Sequence, residues 1–181
     1  MQRAAPAQPQ RLFFALWPDE AARASIASLA REVAHAGGGR ATAADKVHLT
    51  LAFLGQQPAA RITALRRLAD GVDAPGFVLA LDEIGCFPRT GITWLGARSV
   101  QSGLAALHLQ LRVALRGDGF PTDERPYAPH LTLARRSRMA LQRHLPEPIA
   151  WPVDSFALVA SDLATGGSSY RTIAEWHLRP G

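Results

Sequence analysis

Apolar residues recur along the chain with two different periods, and together they predict an alternation of strands and helices. Alternation at every second residue is typical of a half-buried strand, whereas apolar residues three or four apart are typical of an amphipathic helix. One helix should start at Trp17–Glu20, where proline and acids lie in its first turn, and stop at Gly37–Gly39. The pattern predicts further helices at residues 59–69, 100–116 and 139–145, and strands at residues 11–17, 47–54, 77–84, 92–98, 156–162 and 170–178.

One short pattern occurs twice: the pentapeptide His-Leu-Thr-Leu-Ala begins at His48 and again at His130. In a strand, successive side chains point to opposite faces, so each copy places its leucines on one face and its histidine and threonine on the other. The polar faces carry His48 with Thr50, and His130 with Thr132. A single copy could be a half-buried strand with an incidental histidine. Two copies favour an internal duplication in which both strands face a common wet cleft.

The order of elements falls into two half-patterns, each of which runs through a helix into a His-x-Thr strand. This order predicts an α+β fold with two pseudo-symmetric lobes, each a mostly antiparallel sheet with flanking helices, around a central cleft. Residues 1–10 carry prolines and no apolar pattern, and we expect them to form a flexible tail. Residues 11–181 are expected to form a single bilobal domain, which suits a chain of 181 residues.

The composition, with 48% hydrophobic and 19% charged residues, is that of a folded globular protein. The formal charge is +5, and Lys46 is the only lysine among the 20 basic residues. Arginine suits recognition of phosphate, although an Ala/Arg/Gly-rich chain also reflects coding bias. Cys86 is the single cysteine, which excludes an internal disulfide and favours a reducing cytoplasm. Neither a signal peptide nor an apolar run of about 20 residues is visible, so we expect no membrane association and a monomer.

The residue types in the two motifs suit general acid–base chemistry on a phosphodiester. A neutral imidazole can take a proton from water and an imidazolium can give one to a leaving oxygen, so one histidine from each copy would suffice. Each threonine hydroxyl could donate to a non-bridging phosphate oxygen. Two histidines without a motif carboxylate or cysteine argue against a metal site, and Cys86 lacks a neighbouring base for nucleophilic catalysis.

The flanks of the two motifs resemble those of the two-histidine phosphoesterases, and within them the bacterial RNA 2′,3′-cyclic phosphodiesterases, first described as 2′-5′ RNA ligases. The resemblance covers nearly the whole chain, and two His-x-Thr motifs with these flanks are a specific signal. It rests on the stretches Arg11–Ala15, His48–Gly55, Phe87–Arg89, Trp94–Gly96, Arg125–Arg135 and Tyr170–Leu178.

The resemblance implies an enzyme without cofactor or metal that acts on RNA or a nucleotide with a 2′,3′-cyclic phosphate end. It implies that His48 is the proton donor to the leaving 3′ oxygen, that His130 is the proton acceptor from water, and that the product is a 2′-phosphate. Thr50, Thr132 and Arg135 would bind the phosphate. Strand parity sets Arg135 off the His/Thr face, so it would have to reach around a strand end.

Two alternative functions use the same residues. The same acid–base pair could run 2′-5′ RNA ligation, with a hydroxyl attacking in place of water. A non-catalytic module that binds RNA or nucleotides would keep the cleft and its arginines but would not need both histidines.

We also predict roles for several aromatic and histidine side chains outside the two motifs. Tyr127 and Tyr170 lie near the presumed cleft and are candidates for stacking on a base. His108 follows Leu104 by one helical turn and is expected to be a structural histidine. The aromatic residues expected in the core are Phe13, Phe53 and Trp94.

Overall fold

The computed structural model describes residues 8–87, 89–164 and 167–181. Most of the predicted tail, residues 1–7, lies outside these ranges. Gln10 already belongs to the first strand, so the tail ends earlier than the sequence suggested. Part of the predicted loop at 165–169 also lies outside the described residues.

Three helices and nine strands make up the described part of the chain. The helices are α1 (Glu20–Gly37), α2 (Ile62–Asp70) and α3 (Ser102–Gly117). The strands are β1 (Gln10–Leu16), β2 (Arg40–Ala41), β3 (Leu49–Gln57), β4 (Phe77–Phe87), β5 (Ile92–Gly96), β6 (Leu131–Arg135), β7 (Arg143–Val153), β8 (Ser155–Ala164) and β9 (Gly167–His177). None of the described helices is both long and apolar enough to cross a membrane.

The ends of α1 follow from local chemistry. Asp19 precedes the helix, and its carboxylate accepts the Ala22 N–H at 2.7 Å, which satisfies one of the free donors of the first turn. Gly38 ends the helix in the left-handed region, at φ 65°, where a residue without Cβ is favoured. The sequence pattern placed Asp19 in the first turn rather than before it, and it ended the helix at Gly37–Gly39; the predicted helix is confirmed.

All nine strands belong to one sheet, which confirms the predicted α+β class with antiparallel pairing. Eight of them run in the order β7-β4-β5-β6-β3-β1-β8-β9, and β2 adds to the edge of β6. The order divides into two halves of four strands that meet where β3 and β6 pair through Leu49 and Leu131. The two His-x-Thr strands are therefore neighbours in one sheet rather than strands of two separate sheets facing each other across a gap.

The helices pack so as to tie the two halves together. Helix α1 follows β1 in the chain but packs on β6, β2 and β7 of the other half, whereas α3 follows β5 but packs on β3. The main core lies between these helices and one face of the sheet. Its largest fully buried side chains include Trp151, Phe14 and Phe156.

The predicted helix at residues 139–145 is wrong, because residues 143–153 form strand β7. This strand contains Pro146, Pro148 and Pro152, which all follow the end of the predicted helix. Strand β7 is the outermost strand of its half, and a sheet edge tolerates residues that lack a backbone N–H.

Candidate active site

The pairing of β3 with β6 brings the two motifs together. Leu49 lies opposite Leu131 in an antiparallel register. One residue further on each strand, this register places His48 opposite Thr132 and Thr50 opposite His130. Directly opposite residues have Cα atoms about 4.5–5.5 Å apart, so the four polar side chains form one compact cluster on the face away from the leucines. The structure thus brings together the four residues that the repeat had singled out.

Both histidines are held in the same way by a backbone carbonyl two residues before them. The Nδ1 atom of His48 lies 2.8 Å from the Lys46 carbonyl oxygen, and that of His130 lies 2.8 Å from the Ala128 carbonyl oxygen. A carbonyl oxygen can only accept, so Nδ1 must carry the proton and donate in each case. The Nε2 atom of each ring is left to accept a proton when the ring is neutral and to donate one when it is charged.

The two imidazoles differ in their surroundings. His48 is largely buried, and this burial lowers its pKa below the ordinary value of 6.5, against the opposing effect of the hydrogen bond to Lys46. The nearby positive groups Arg135 and His130 lower the pKa further. His130 is half-buried and meets the ring of Phe87 edge-on at 5.1 Å. Burial therefore favours the neutral form of His48 in the free protein.

A bulge follows the threonine in each motif and changes which residues face the cleft. Leu51 is an extra residue in the pairing of β3 with β1, and Leu133 is an extra residue in the pairing of β6 with β5. An extra residue reverses the alternation of side chains beyond it. Phe53 and Arg135, each three residues after its threonine, therefore line the same cleft as His48, whereas His130 is not part of that lining.

Phe53 was expected in the core, and this expectation is wrong, because half of its surface is exposed in the cleft. Its ring lies under the Arg11 guanidinium, whose carbon is 4.7 Å from the ring centroid. The parity argument that set Arg135 off the His/Thr face fails for the same reason. A signal was available: Phe53 occupies the same place in the first motif that Arg135 occupies in the second.

The cleft is polar and strongly basic. Its volume is about 600 Å³, and its lining includes Thr50 and Thr132. No carboxylate belongs to the lining as far as the chain is described. Its cationic side chains are Arg11, Arg40, Lys46, Arg135 and Arg136. Such a surface suits a ligand with more than one negative charge.

The two tyrosines take different places. Tyr127 lies outside the cleft lining: its ring stacks on His108 with centroids 3.7 Å apart, and its hydroxyl donates to the Thr50 carbonyl at 3.1 Å. A base-stacking role does not fit this position, because the ring face is already covered. His108 also donates from Nδ1 to the Leu51 carbonyl at 3.0 Å, which supports its predicted structural role. Tyr170 does line the cleft.

The remaining aromatic residues that were expected in the core differ in burial. Phe13 is buried, as expected. Trp94 is half-buried and lies on Gly85, in the strand next to it. Within the described ranges, no group of three or more His, Cys, Asp or Glu side chains is arranged to hold a metal ion.

Comparisons with known proteins show the family to which this chain belongs. The model of the 2′-5′ RNA ligase superfamily matches residues 17–165. An *Escherichia coli* protein named RNA 2′,3′-cyclic phosphodiesterase is 37% identical, over 94% of this chain and 98% of its own length. A *Thermus thermophilus* protein of the same name is 32% identical, over 93% of this chain and 90% of its own length.

Solved structures show the same likeness. The crystal structure of *E. coli* LigT complexed with 3′-AMP superposes with a TM-score of 0.84 at 37% identity, covering 94% of this chain and 99% of LigT. The structure of LigT in apo form gives a TM-score of 0.85 at the same identity. Since the family model spans most of the chain and the relatives cover nearly all of it, the chain belongs to the 2′-5′ RNA ligase superfamily.

Proposed function

We propose that this chain hydrolyses the 2′,3′-cyclic phosphate ends of RNA to 2′-phosphates by acid–base catalysis without a metal. The observation that carries the proposal is the paired geometry of the motifs. His48, Thr50 and Thr132 line the basic cleft, and His130 lies opposite Thr50 on the same face of the sheet; both histidines have tethered Nδ1 atoms. The *E. coli* and *Thermus* relatives, both named RNA 2′,3′-cyclic phosphodiesterases, support the same activity.

In the proposed reaction the two histidines act on opposite sides of one phosphorus atom. His130 accepts a proton at Nε2 from the attacking water, whose oxygen forms the new bond to phosphorus. The bond from phosphorus to the 3′ oxygen breaks, and His48 gives its Nε2 proton to that oxygen. One proton has then passed from water to the leaving hydroxyl, and the product is a 2′-phosphate. Proton exchange with solvent restores the pair.

The threonines and Arg135 are proposed to stabilise the charge that builds up on the phosphate. Thr50 and Thr132 each offer one hydroxyl from the same face as the histidines, which is the arrangement of a preorganised oxyanion site. Arg135 lines the same cleft as His48, Thr50 and Thr132, and from there its guanidinium would bind the phosphate. A guanidinium can bind two phosphate oxygens at once.

The lowered pKa of His48 is compatible with its proposed role as the acid. Burial disfavours the imidazolium in the free protein, but a bound cyclic phosphate brings a negative charge that favours it. The imidazolium then forms beside the phosphate, where its proton can pass to the leaving oxygen. Proton uptake by His48 is thereby tied to substrate binding.

The basic cleft suits a nucleotide at the end of a longer RNA. Phe53 is half exposed and carries the Arg11 guanidinium over one face of its ring, so the terminal base would stack on the other face. The further cations Arg40 and Arg136 lie where the preceding phosphates of a chain can follow. The complex of *E. coli* LigT with 3′-AMP supports a nucleotide as ligand.

Ligation of RNA through a 2′-5′ bond is a second candidate, favoured by the description of the family whose model matches. In that reaction the 5′-hydroxyl of another RNA replaces water as the nucleophile, and the same two histidines move the protons. Offering a 5′-hydroxyl acceptor in excess, and looking for a joined product, distinguishes this activity from hydrolysis.

We further propose that the enzyme works as a monomer in the reducing cytoplasm, where RNA ends with cyclic phosphates would be its substrate. The single thiol, Cys86, is free and half-buried in the structure. Sedimentation of the purified protein checks the first part of this proposal.

The direct test is to incubate the protein with an oligonucleotide that ends in a 2′,3′-cyclic phosphate, in the presence of a chelator. Phosphorus NMR or selective nucleases then locate the phosphate in the product. We expect a 2′-phosphate, formed at the same rate with and without chelator. Activity that disappears with chelator and returns with zinc would contradict the acid–base account.

A further inference from the structure

Three aromatic rings surround the imidazole of His48. The ring centroids of Tyr170, Phe13 and Trp17 lie 5.0, 5.1 and 5.4 Å from its centroid. Tyr170 meets the imidazole nearly edge-on, at 74° between planes, whereas Phe13 and Trp17 are tilted by 38° and 57°. We call these three residues the aromatic wall. Among the described residues, Phe87 alone makes such a contact with His130.

The aromatic wall belongs to a small apolar cluster that is separate from the main core. Strand β1 alternates: Leu12, Phe14 and Leu16 enter the main core, while Phe13 and Ala15 point to the opposite face and pack with Ala157 and Val159. Trp17 and Tyr170 pack against this cluster. The opposite face of the sheet is the one that carries the motif histidines. An apolar cluster on the cleft side of the sheet is not needed to cover the main core, and it lies against His48.

We propose that Phe13, Trp17 and Tyr170 act together as positioning residues, holding the His48 ring with Nε2 toward the cleft and shielding the rest of the ring from water. The proposal rests on the proposed function of His48 as a proton-transferring group. The aromatic wall fixes the ring from the sides, while the Lys46 carbonyl fixes Nδ1 at 2.8 Å. A ring with both restraints keeps one orientation before substrate arrives, which is what positioned acid–base catalysis requires.

Other groups near His48 are positive or neutral. Arg135 and His130 come from β6 and the segment before it, Lys46 from the turn before β3, and the Tyr170 phenol from β9. No carboxylate lies in the described cleft lining to favour a charged imidazole. By keeping water away from the ring, the aromatic wall lowers the pKa of His48, as the positive charges of Arg135 and His130 also do. Burial is the largest cause of this lowered pKa.

Trp17 offers the cleanest test, because it touches His48 from outside the cleft. It lines a second, smaller cavity with Arg23, Asp45 and Thr172, and it is absent from the lining of the basic cleft. Replacing it changes the wall without removing a group that faces the substrate. Tyr170 is less suitable as a first choice, because it lines both cavities.

The experiment compares Trp17→Leu with the conservative variant Trp17→Phe. In the intact protein without substrate, NMR follows the titration of the His48 ring. We expect Trp17→Leu to move the pKa of His48 upward toward 6.5, and to lower kcat by about 10- to 100-fold with little change in KM, the size of effect that a slightly misplaced catalytic group causes. Trp17→Phe keeps an aromatic ring, so both the pKa of His48 and kcat should stay close to their wild-type values.

Phe87→Leu is the matched control, because Phe87 packs against His130 and not against the aromatic wall. We expect it to leave the titration of His48 unchanged. If Trp17→Leu does not fold, the same test is made at Tyr170. The titration of His48 and kcat are then compared between Tyr170→Leu and the conservative variant Tyr170→Phe. A folded Trp17→Leu protein with an unchanged His48 titration, or a loss of turnover that Trp17→Phe does not rescue, would overturn the proposal.

The titration and the activity separate this inference from the proposed function. A wild-type protein that fails to hydrolyse the cyclic-ended oligonucleotide would contradict the proposed function. The NMR titration needs no substrate, so it would still show whether the aromatic wall controls His48.

Discussion

Each motif histidine forms a hydrogen bond to a carbonyl two residues before it, and this contact is the same in both copies of the motif. The distance is 2.8 Å in both copies. The sequence predicted which histidines and threonines would meet, because the pentapeptide occurs twice and because side chains alternate between the two faces of a strand. It did not predict Phe53, since the bulge at Leu51 that turns this ring into the cleft leaves no mark in the hydrophobic pattern.

The exposed ring of Phe53 leads to a prediction about substrate binding. Stacking on a base contributes about 1–3 kcal/mol, so Phe53→Ala should weaken binding of a cyclic-ended oligonucleotide by about 5- to 150-fold. Phe53→Tyr keeps the ring and should bind nearly as well as the wild type. Steady-state kinetics on both variants measures the change. Equal effects of the two substitutions would show that the ring does not stack.

The burial of His48 leads to a prediction about stability and pH. The pKa of His48 is lowered in the folded protein, so below pH 6.5 the unfolded chain binds a proton at this position more readily than the folded one. Between pH 6.5 and the lowered pKa of the folded protein, His48 therefore makes the free energy of unfolding fall as the pH drops. Above this range His48 does not change the free energy of unfolding. His48→Gln should flatten that part of the curve. Denaturant titrations at a series of pH values measure the slope, and an unchanged slope would contradict the burial argument.

At the scale of secondary structure, the bulges in β3 and β6 and the close packing of β4 on β5 shape the site. Helices α1 and α3 were predictable because glycines, a capping aspartate and leucines at helical spacing mark them. Strand β7 was not, because its edge position, which tolerates Pro146 and Pro152, depends on strand order and not on local sequence.

Gly85 in β4 gives a test of this packing. A Cβ at this position would lie 2.2 Å from Cζ2 of Trp94, whose ring contacts Phe87 beside His130. Gly85→Ala should therefore displace Trp94 and lower the free energy of unfolding by about 1–3 kcal/mol. Gly117→Ala, where nothing lies within 4 Å of the added carbon, is the matched control. Chemical denaturation compares the two, and equal stabilities would contradict the packing described.

At the scale of the whole molecule, two four-stranded halves meet at the motifs, and five of the 20 basic residues line the cleft. The sequence predicted the antiparallel α+β class from the order of elements, and the repeated pentapeptide favoured an internal duplication. It predicted two facing sheets in place of one continuous sheet, because the single pairing of Leu49 with Leu131 that joins the halves cannot be read from either strand alone. The net charge of +5 likewise gave no indication of where the cations lie.

The clustered cations predict that binding of RNA depends on salt more strongly than binding of a mononucleotide. If three phosphates of an oligonucleotide are contacted, its affinity should fall about 20-fold between 50 and 200 mM salt, against about threefold for a cyclic mononucleotide. Values of KM for both substrates across this range measure the difference. Identical salt dependence would mean that Arg40 and Arg136 do not follow the RNA chain.

The central claim is that His48 and His130 act as one acid–base unit, and single and double replacements measure this most directly. Each of His48→Ala and His130→Ala should lower kcat on a cyclic-ended oligonucleotide by about 10²–10⁴-fold. The double variant should lose much less than the product of the two losses, because either single change already disables the unit. A folded single variant that keeps near-full turnover would remove that histidine from the chemistry and make the non-catalytic binding module the better account.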